Sequence, residues 1–274
     1  MTVCIGAICE HGKGHAVVVA ADRMMTYGPP MNLETEPPLK KIIPLTRNAV
    51  LLFSGTVFDG EEIAARVTHE IAGSNPTLQE LSDRVTVAYV DMKRKRVEET
   101  ILQPFLGIGF PEFRTMAAQA PASQVLQQVI AMIAQHNLNL ELIVAGSDSL
   151  GSHLNIVTHP GTLLKVGQTG FATIGSGGLH ASVWLSLAKH TRLASFGETV
   201  YNLFEAKKAA EVAPGVGQLT DIGVIVGGNF SFLEDPLFEL LEKAHKEKPT
   251  LAEEERAEID KALEKHVSKH KADA

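Results

Sequence analysis

The 274-residue sequence has only two cysteines, one tryptophan and 5% aromatic residues. It also lacks any apolar stretch of the roughly 18 residues that a membrane span needs, and no charged segment leads into an apolar one at its N-terminus. These absences argue against a transmembrane helix and a secretory signal peptide. Cys4 and Cys9 are too few for a disulfide framework and fit a reducing compartment. We therefore expect a cytoplasmic protein without a membrane partner.

The sequence also lacks an excess of positive charge. Its net charge is −7, and Lys93-Arg94-Lys95-Arg96 is its only basic run. Because nucleic-acid-binding proteins carry a basic surface, we expect no nucleic-acid partner. The 11 histidines show no metal-ligand spacing, and His11 and His15, on either side of a Gly-Lys-Gly turn, are more simply solvated. We predict neither a metal nor a cofactor.

What the sequence does contain is short apolar runs in an order typical of an α+β fold. Residues 2–9 and 15–22 predict one hairpin, and residues 41–45 and 49–54 predict another. After these hairpins, apolar residues at helical spacing predict helices, one of which begins with a capping box at Thr77. The remaining predicted elements are a helix near 125–133, strands at 139–146, 153–158, 162–166 and 171–175, helices near 178–190 and 196–210, and a strand at 220–227. Strands and helices in separate blocks predict antiparallel sheets with helices outside them.

Two regions differ in composition from these elements. Residues 28–38 contain four prolines, which predicts an irregular loop. Residues 233–274 are highly charged, with a helix start at Asp235-Pro236 and a second capping box at Thr250-Leu251-Ala252-Glu253. We therefore divide the chain into a domain over 1–232 and a charged helical extension over 233–274.

The second residue carries the strongest chemical signal. Thr2 opens the first strand, and removal of Met1, which is favoured before a small residue, would leave a hydroxyl and a free amine on one residue. That combination is a nucleophile with its own general base. We expect the mature chain to begin at Thr2.

Three further residues are candidates for the same site, although each has an ordinary structural reading. Asp22 ends an apolar strand, where a buried carboxylate needs a cationic partner, but an Asp there can also cap a turn. Lys41, taken alone, reads as a surface lysine beside Lys40. Ser176 lies in a glycine-rich loop before a helix, but the loop lacks the Walker and GxGxxG spacings, so a tight turn is the simpler reading.

Taken together, these motifs resemble a known family. The motifs are, in order, the Thr2 strand, Ala20-Ala21-Asp22-Arg23, Lys40-Lys41-Ile42, Ser54-Gly55-Thr56 and Ile174-Gly175-Ser176-Gly177-Gly178. Their order resembles that of the β-type proteasome subunits, which are N-terminal-nucleophile (Ntn) hydrolases. The resemblance covers about residues 2–230. It implies a four-layer α-β-β-α sandwich, cleavage of peptides or unfolded proteins without a cofactor, and assembly into a homo-oligomeric ring.

The resemblance also implies roles for individual residues. Thr2 would be the nucleophile and its amine the base, with the ion pair of Asp22 and Lys41 beneath it. Gly55 would supply the N–H of the oxyanion hole, and Ser176 would support the amine.

Three more residues are expected to bind the substrate. By the same resemblance, Thr26 would contact the substrate backbone, and Met25 and Phe53 would line the specificity pocket. Because both pocket residues are apolar, a charged substrate side chain would find no partner there. We therefore predict an apolar residue before the scissile bond.

The sequence departs from the family near the end of the core. A catalytic β subunit usually presents an Asp and a Ser close together before Gly-Gly, whereas this chain has Glu211-Val212-Ala213-Pro214-Gly215-Val216-Gly217. Residues 100–138 also hold additional chain, which predicts an extra helix. Two alternatives stay open: a non-catalytic structural subunit of such a ring, and an Ntn amidohydrolase that acts on a small amide.

Overall fold

The computed structural model describes residues 2–27, 33–36, 40–119 and 123–247. The chain forms two compact units, Met1–Leu233 and Glu234–Ala274. The first unit is a mixed α+β fold with two large antiparallel sheets, so the predicted fold class is confirmed at this level. In the ranges described, no helix is both long and apolar enough to cross a membrane.

The first sheet has five antiparallel strands and contains the N-terminal hairpin. In spatial order they are β10 (Phe171–Ile174), β1 (Cys4–His11), β2 (Gly14–Asp22), β11 (Thr220–Val226) and β12 (Asn229–Phe232). β1 and β2 form the hairpin that the sequence predicts, and Gly12 in its turn has a φ of 59°, a left-handed conformation that favours glycine.

The second sheet also has five antiparallel strands. They are β5 (Ile42–Thr46), β6 (Ala49–Ser54), β7 (Glu141–Asp148), β8 (Gly151–Thr158) and β9 (Thr162–Lys165), adjacent in that order. Short strands β3 (Met25–Tyr27) and β4 (Leu33–Thr35) pair with each other. The prediction of an irregular loop is therefore wrong for Leu33–Thr35, because the four prolines of this region lie outside that stretch and remove no amide from it. Residues 28–32 and 37–39 are outside the described residues.

Side chains from both sheets meet in one buried hydrophobic cluster. Its members include Cys4, Ile8, Val17 and Val19 from the first sheet and Val50, Leu52, Ile143 and Leu154 from the second. The central strands are apolar on both faces, as expected when both faces are covered.

Helices α1 (Val57–Glu70) and α2 (Leu78–Val97) pack against the other face of the second sheet. The predicted capping box at Thr77 is confirmed, since the Thr77 hydroxyl accepts from the Glu80 N–H and the Glu80 carboxylate accepts from the Thr77 N–H. Helices α6 (Gly178–Leu187) and α7 (Phe196–Ala210) follow β10, and α7 contacts β1 and β2.

The additional chain after α2 forms more helix than the sequence predicts. A π-helical turn (Glu98–Leu102) leads to α3 (Gln103–Leu106), α4 (Phe110–Gln119) and α5 (Gln124–Gln135), which share a small hydrophobic cluster. Gly107, with a φ of 67°, ends α3, and Pro111 in the first turn of α4 starts a new helix rather than continuing the old one.

The second unit contains α8 (Asp235–Lys246), which begins at the predicted Asp235-Pro236 start and buries none of its residues. The second predicted capping box, at Thr250, lies outside the described residues.

Candidate active site

Thr2 and Asp22 meet because β1 and β2 are antiparallel neighbours. The Asp22 N–H donates to the Val3 carbonyl at 3.2 Å, so the start of β1 faces the end of β2. The Thr2 hydroxyl donates to Asp22 Oδ1 at 2.6 Å. Thr2 is 2% exposed and Asp22 is fully buried. The hairpin by itself therefore brings two of the predicted site residues together.

Lys41 is a buried cation at the same carboxylate. Its Nζ donates to Asp22 Oδ1 at 3.0 Å, and the residue is 3% exposed. The neighbouring Lys40 points elsewhere, with 39% of its side chain exposed and its Nζ 3.5 Å from the centroid of the Phe232 ring. The reading of Lys41 as a surface lysine is therefore wrong.

Asp22 has donors for both carboxylate oxygens. Oδ1 also accepts from the Val3 N–H at 2.9 Å, and Oδ2 accepts from the Met24 N–H at 2.9 Å and the Gly217 N–H at 3.0 Å. Together with the Thr2 hydroxyl and Lys41 these make five donors. A buried carboxylate without such partners would be costly, so this set offsets the burial of Asp22 and fixes its orientation.

The loop between β10 and α6 supports the backbone of Thr2. The Thr2 N–H donates to Ser176 Oγ at 3.1 Å, and the Gly177 N–H donates to the Thr2 carbonyl at 3.1 Å. Gly175 has a φ of 89°, and a Cβ at this position would lie 2.4 Å from the Thr2 carbonyl oxygen. The glycines therefore let the loop approach Thr2, which is more than a tight turn requires.

Gly55 follows β6 and has a conformation that other residues rarely adopt. Its φ is 117°, and an added Cβ would lie 1.8 Å from the Asn139 carbonyl oxygen. Among the described residues, no hydrogen bond joins the Gly55 N–H to another group. A backbone donor without a protein acceptor is what an oxyanion hole needs before a substrate binds.

A cleft of about 420 Å³ adjoins these residues. Gly55 and Ser176 line it, together with Asn139, Glu141 and His159. Glu141 Oε2 accepts from the Gly175 N–H at 3.0 Å, which ties the second sheet to the glycine loop. Asn139 and Glu141 were not predicted, since no motif at the start of β7 marks them as neighbours of Ser176.

The predicted substrate-binding residues do not line this cleft. Met25 and Phe53 are 8% and 1% exposed, and neither lines the 420 Å³ cleft. Phe53 packs in the hydrophobic cluster beneath α1, where an added Cβ at Gly60 would lie 2.7 Å from its ring. Thr26 pairs with Glu34 in the β3–β4 register. The specificity pocket and the role of Thr26 stay predictions.

The segment after α7 contributes to the site through its backbone. The segment Glu211–Gly217 lacks the Asp and Ser that the resembling family presents, and its Gly217 N–H donates to Asp22 Oδ2. Glu211 does not reach Asp22 but pairs with Lys207, whose Nζ is 2.6 Å from Glu211 Oε1. No sequence signal singles out a backbone amide such as that of Gly217, and Lys207 stands in no recognisable motif, so neither residue was predicted.

Cys4 is another potential nucleophile close to this group. Burial raises the pKa of its thiol well above the ordinary value, and Sγ donates to the Phe53 carbonyl at 3.2 Å. Because the thiolate is the reactive form, Cys4 is inert here and Thr2 has no competitor from it.

Comparison with protein-family models gives no match, and comparison with curated protein sequences gives none either.

Proposed function

We propose that this protein is an N-terminal threonine hydrolase that cleaves amide bonds, with Thr2 as nucleophile and its amine as general base. The observation that carries the proposal is the convergence on Asp22 Oδ1, which receives the Thr2 hydroxyl at 2.6 Å and Lys41 Nζ at 3.0 Å. Burial of Asp22 accounts for its pairing with Lys41, but that pairing does not require the Thr2 hydroxyl on the same carboxylate oxygen.

The proposed reaction begins once Met1 has been removed. The Thr2 hydroxyl, which donates to Asp22 Oδ1 in the structure, turns to the free amine, the amine accepts its proton, and Oγ1 attacks the substrate carbonyl. The positive charge of Lys41 disfavours a second charge nearby, which helps keep the amine neutral and basic. Ser176 Oγ, 3.1 Å from the Thr2 nitrogen, holds the amine in place.

Gly55 would stabilise the charge that develops on the substrate. Its N–H, which has no acceptor in the part of the chain that the structure describes, donates to the oxyanion of the tetrahedral intermediate. When the intermediate collapses, the ammonium of Thr2 returns its proton to the leaving amine and an ester remains on Oγ1. Water, activated by the same amine, then hydrolyses the ester and restores Thr2.

We also infer the four-layer α-β-β-α arrangement of the Ntn hydrolases. It is supported by the shared cluster between the sheets, by α1 and α2 on the outer face of the second sheet, and by the contact of α7 with β1 and β2. The resemblance adds peptides or unfolded proteins as substrates and a homo-oligomeric ring, and the composition of the sequence adds a cytoplasmic location.

A non-catalytic ring subunit is the second candidate, and one observation favours it. The segment Glu211–Gly217 brings a backbone amide to Asp22 but no side-chain acid or hydroxyl. The complete set of Thr2, Asp22, Lys41 and Gly55 favours the enzyme, because a structural subunit has no use for it.

Intact mass spectrometry after incubation with a peptide epoxyketone tests the proposal. An epoxyketone needs both the hydroxyl and the amine of a terminal threonine to form its stable ring. We expect one adduct per chain on a protein that begins at Thr2, and none on Thr2→Ala. Thr2→Ser, which retains both groups, should still react. Full retention of Met1, or an equal adduct on Thr2→Ala, would overturn the mechanism.

A further inference from the structure

A second lysine is buried close to Asp22 and has no part in the mechanism above. Lys207, near the end of α7, is fully buried. Its Nζ donates to Glu211 Oε1 at 2.6 Å and to the Gln218 carbonyl at 2.7 Å. Burial lowers its pKa, while the negative charges of Glu211 and Asp22 oppose that shift. A buried ammonium group with these two bonds needs an explanation, since a neutral side chain would avoid the cost of desolvation.

The carbonyl that Lys207 binds belongs to a segment held at three successive residues. The Gly217 N–H donates to Asp22 Oδ2 at 3.0 Å, Lys207 binds the Gln218 carbonyl, and the Leu219 N–H donates to Glu36 Oε1 at 3.0 Å. A Cβ on Gly217 would lie 1.9 Å from Glu36 Oε1, so the segment leaves no room for a side chain there. The position of the Gly217 amide therefore depends on both flanking contacts.

A purely structural reading makes Lys207 a cation that complements the C-terminal end of α7. Lys208 tests that reading, because it occupies the same helical turn and its Nζ is 3.5 Å from the same Glu211 oxygen. Lys207 also donates to the Gln218 carbonyl, which lies outside the helix. This bond points toward the Asp22 segment and not along the helix, so the end of the helix alone does not account for Lys207.

We propose that Lys207, with Glu211 as its counter-ion, is a positioning residue that holds Gly217–Leu219 so that the Gly217 N–H keeps Asp22 oriented toward Thr2 and Lys41. It would do by backbone placement what a side-chain Asp and Ser do in the resembling family. The expected effect on catalysis rests on the proposed function, whereas the expected effect on the position of the Gly217 amide does not.

The test compares Lys207→Met, Lys207→Gln and the matched control Lys208→Met with the wild type in two measurements. The first is hydrogen exchange of the Gly217 amide by NMR. The second is inactivation by a peptide β-lactone, separated into the maximal rate kinact and the half-saturating concentration KI. We expect Lys207→Met to speed Gly217 exchange and to lower kinact, each by about tenfold or more, because a buried charged hydrogen bond is lost. KI should not change, since Lys207 touches no substrate.

The other variants sharpen the result. Lys207→Gln retains an N–H that can donate to Gln218, so it should recover part of both effects, and it carries the test if Lys207→Met does not fold. Lys208→Met should stay within about twofold of the wild type. Equal behaviour of Lys207→Met and Lys208→Met, or a change in KI alone, would overturn the proposal. If the wild type does not react with the lactone, the proposed function fails, and the exchange of Gly217 still decides the positioning role.

Discussion

Two ion-pair clusters in the first unit contain the same kinds of groups and differ in burial. At the candidate site, Lys41 and Asp22 are 3.0 Å apart, with side chains 4% and 0% exposed. On α1, Arg66 lies 2.8 Å from both Glu70 and Asp91, with exposures of 41%, 34% and 36%. The surface contacts are the shorter ones, so distance does not distinguish the two clusters. What differs is the availability of water to replace a lost partner.

This difference decides what each cluster contributes. Water solvates any Arg66 conformation, so its pairs add little to stability and impose little geometry. Asp22 has no access to water and depends on its five donors, so each of them is restrained by the others. A catalytic carboxylate benefits from such an environment, because charge interactions are stronger there and need no rearrangement during the reaction.

The largest predicted effect comes from breaking the buried pair. Lys41→Met should lower the free energy of unfolding by about 3–5 kcal/mol, because it leaves a buried carboxylate without its cation. Activity should be lost as well. Asp22→Asn should destabilise similarly, since it leaves Lys41 buried without an anion. Urea unfolding gives the free energies.

The double variant Asp22→Asn/Lys41→Met measures the interaction energy between Asp22 and Lys41. If the two groups act on each other, the double variant should be destabilised by clearly less than the sum of the single variants. Additive losses would mean that Asp22 and Lys41 stabilise the fold independently, and the comparison with Arg66 would lose its basis.

How much of this site the sequence predicts depends on the kind of contact. Thr2 and Asp22 each carry a chemical signal at the edge of an apolar run, whereas Lys41 and Gly55 are predicted only through the resemblance of the combined motifs to a known family. The hairpin register then joins Thr2 to Asp22 without further information. The Gly217 contact was not predictable, because a backbone amide has no signature in the sequence and its position depends on Lys207 and Glu36.

The same reasoning explains what was missed in the fold. The α+β class was predictable from the order of the apolar runs. The face of the sheet on which Phe53 lies was not predictable. Every residue of β6 is buried, so the alternation of apolar and polar residues that would assign a face is missing. Leu52 belongs to the cluster between the sheets, and Phe53 to the cluster beneath α1. The helices after α2 were undercounted because their boundaries depend on single residues such as Gly107.

The second prediction compares a crowded and an open position that both require an unusual backbone conformation. Gly55→Ala should cost about 2–4 kcal/mol, because its φ is 117° and the new Cβ would meet the Asn139 carbonyl. Gly151→Ala is the matched control, since Gly151 has a similar φ of 127° but nothing lies within 4 Å of an added Cβ. Chemical denaturation of both variants gives the difference. Equal losses would show that backbone strain alone, and not close packing, requires glycine at Gly55.

A third prediction concerns an ion pair of intermediate burial. Asp59, with 6% of its side chain exposed, accepts from Arg96 Nε at 3.0 Å, and the Arg96 side chain is 30% exposed. Arg96→Met should therefore cost about 1–2 kcal/mol, between the buried and the exposed cluster. Urea unfolding of Arg96→Met and Lys41→Met under the same conditions gives the two free energies of unfolding. A loss as large as that of Lys41→Met would show that burial does not set the order.

The smallest predicted effect is at the surface. Arg66→Ala should change the free energy of unfolding by no more than about 0.5 kcal/mol, since exposed pairs contribute little. Each carboxylate also retains a second cation, because Arg84 lies 3.9 Å from Glu70 and Arg94 lies 3.7 Å from Asp91. Thermal unfolding at low and high salt measures this. We expect a Tm shift below about 2 °C that shrinks further in high salt, where exposed charges are screened. A salt-independent loss comparable to that of Arg96→Met would mean that the Arg66 side chain stabilises α1 by packing, and exposure alone would then not account for the difference between the two clusters.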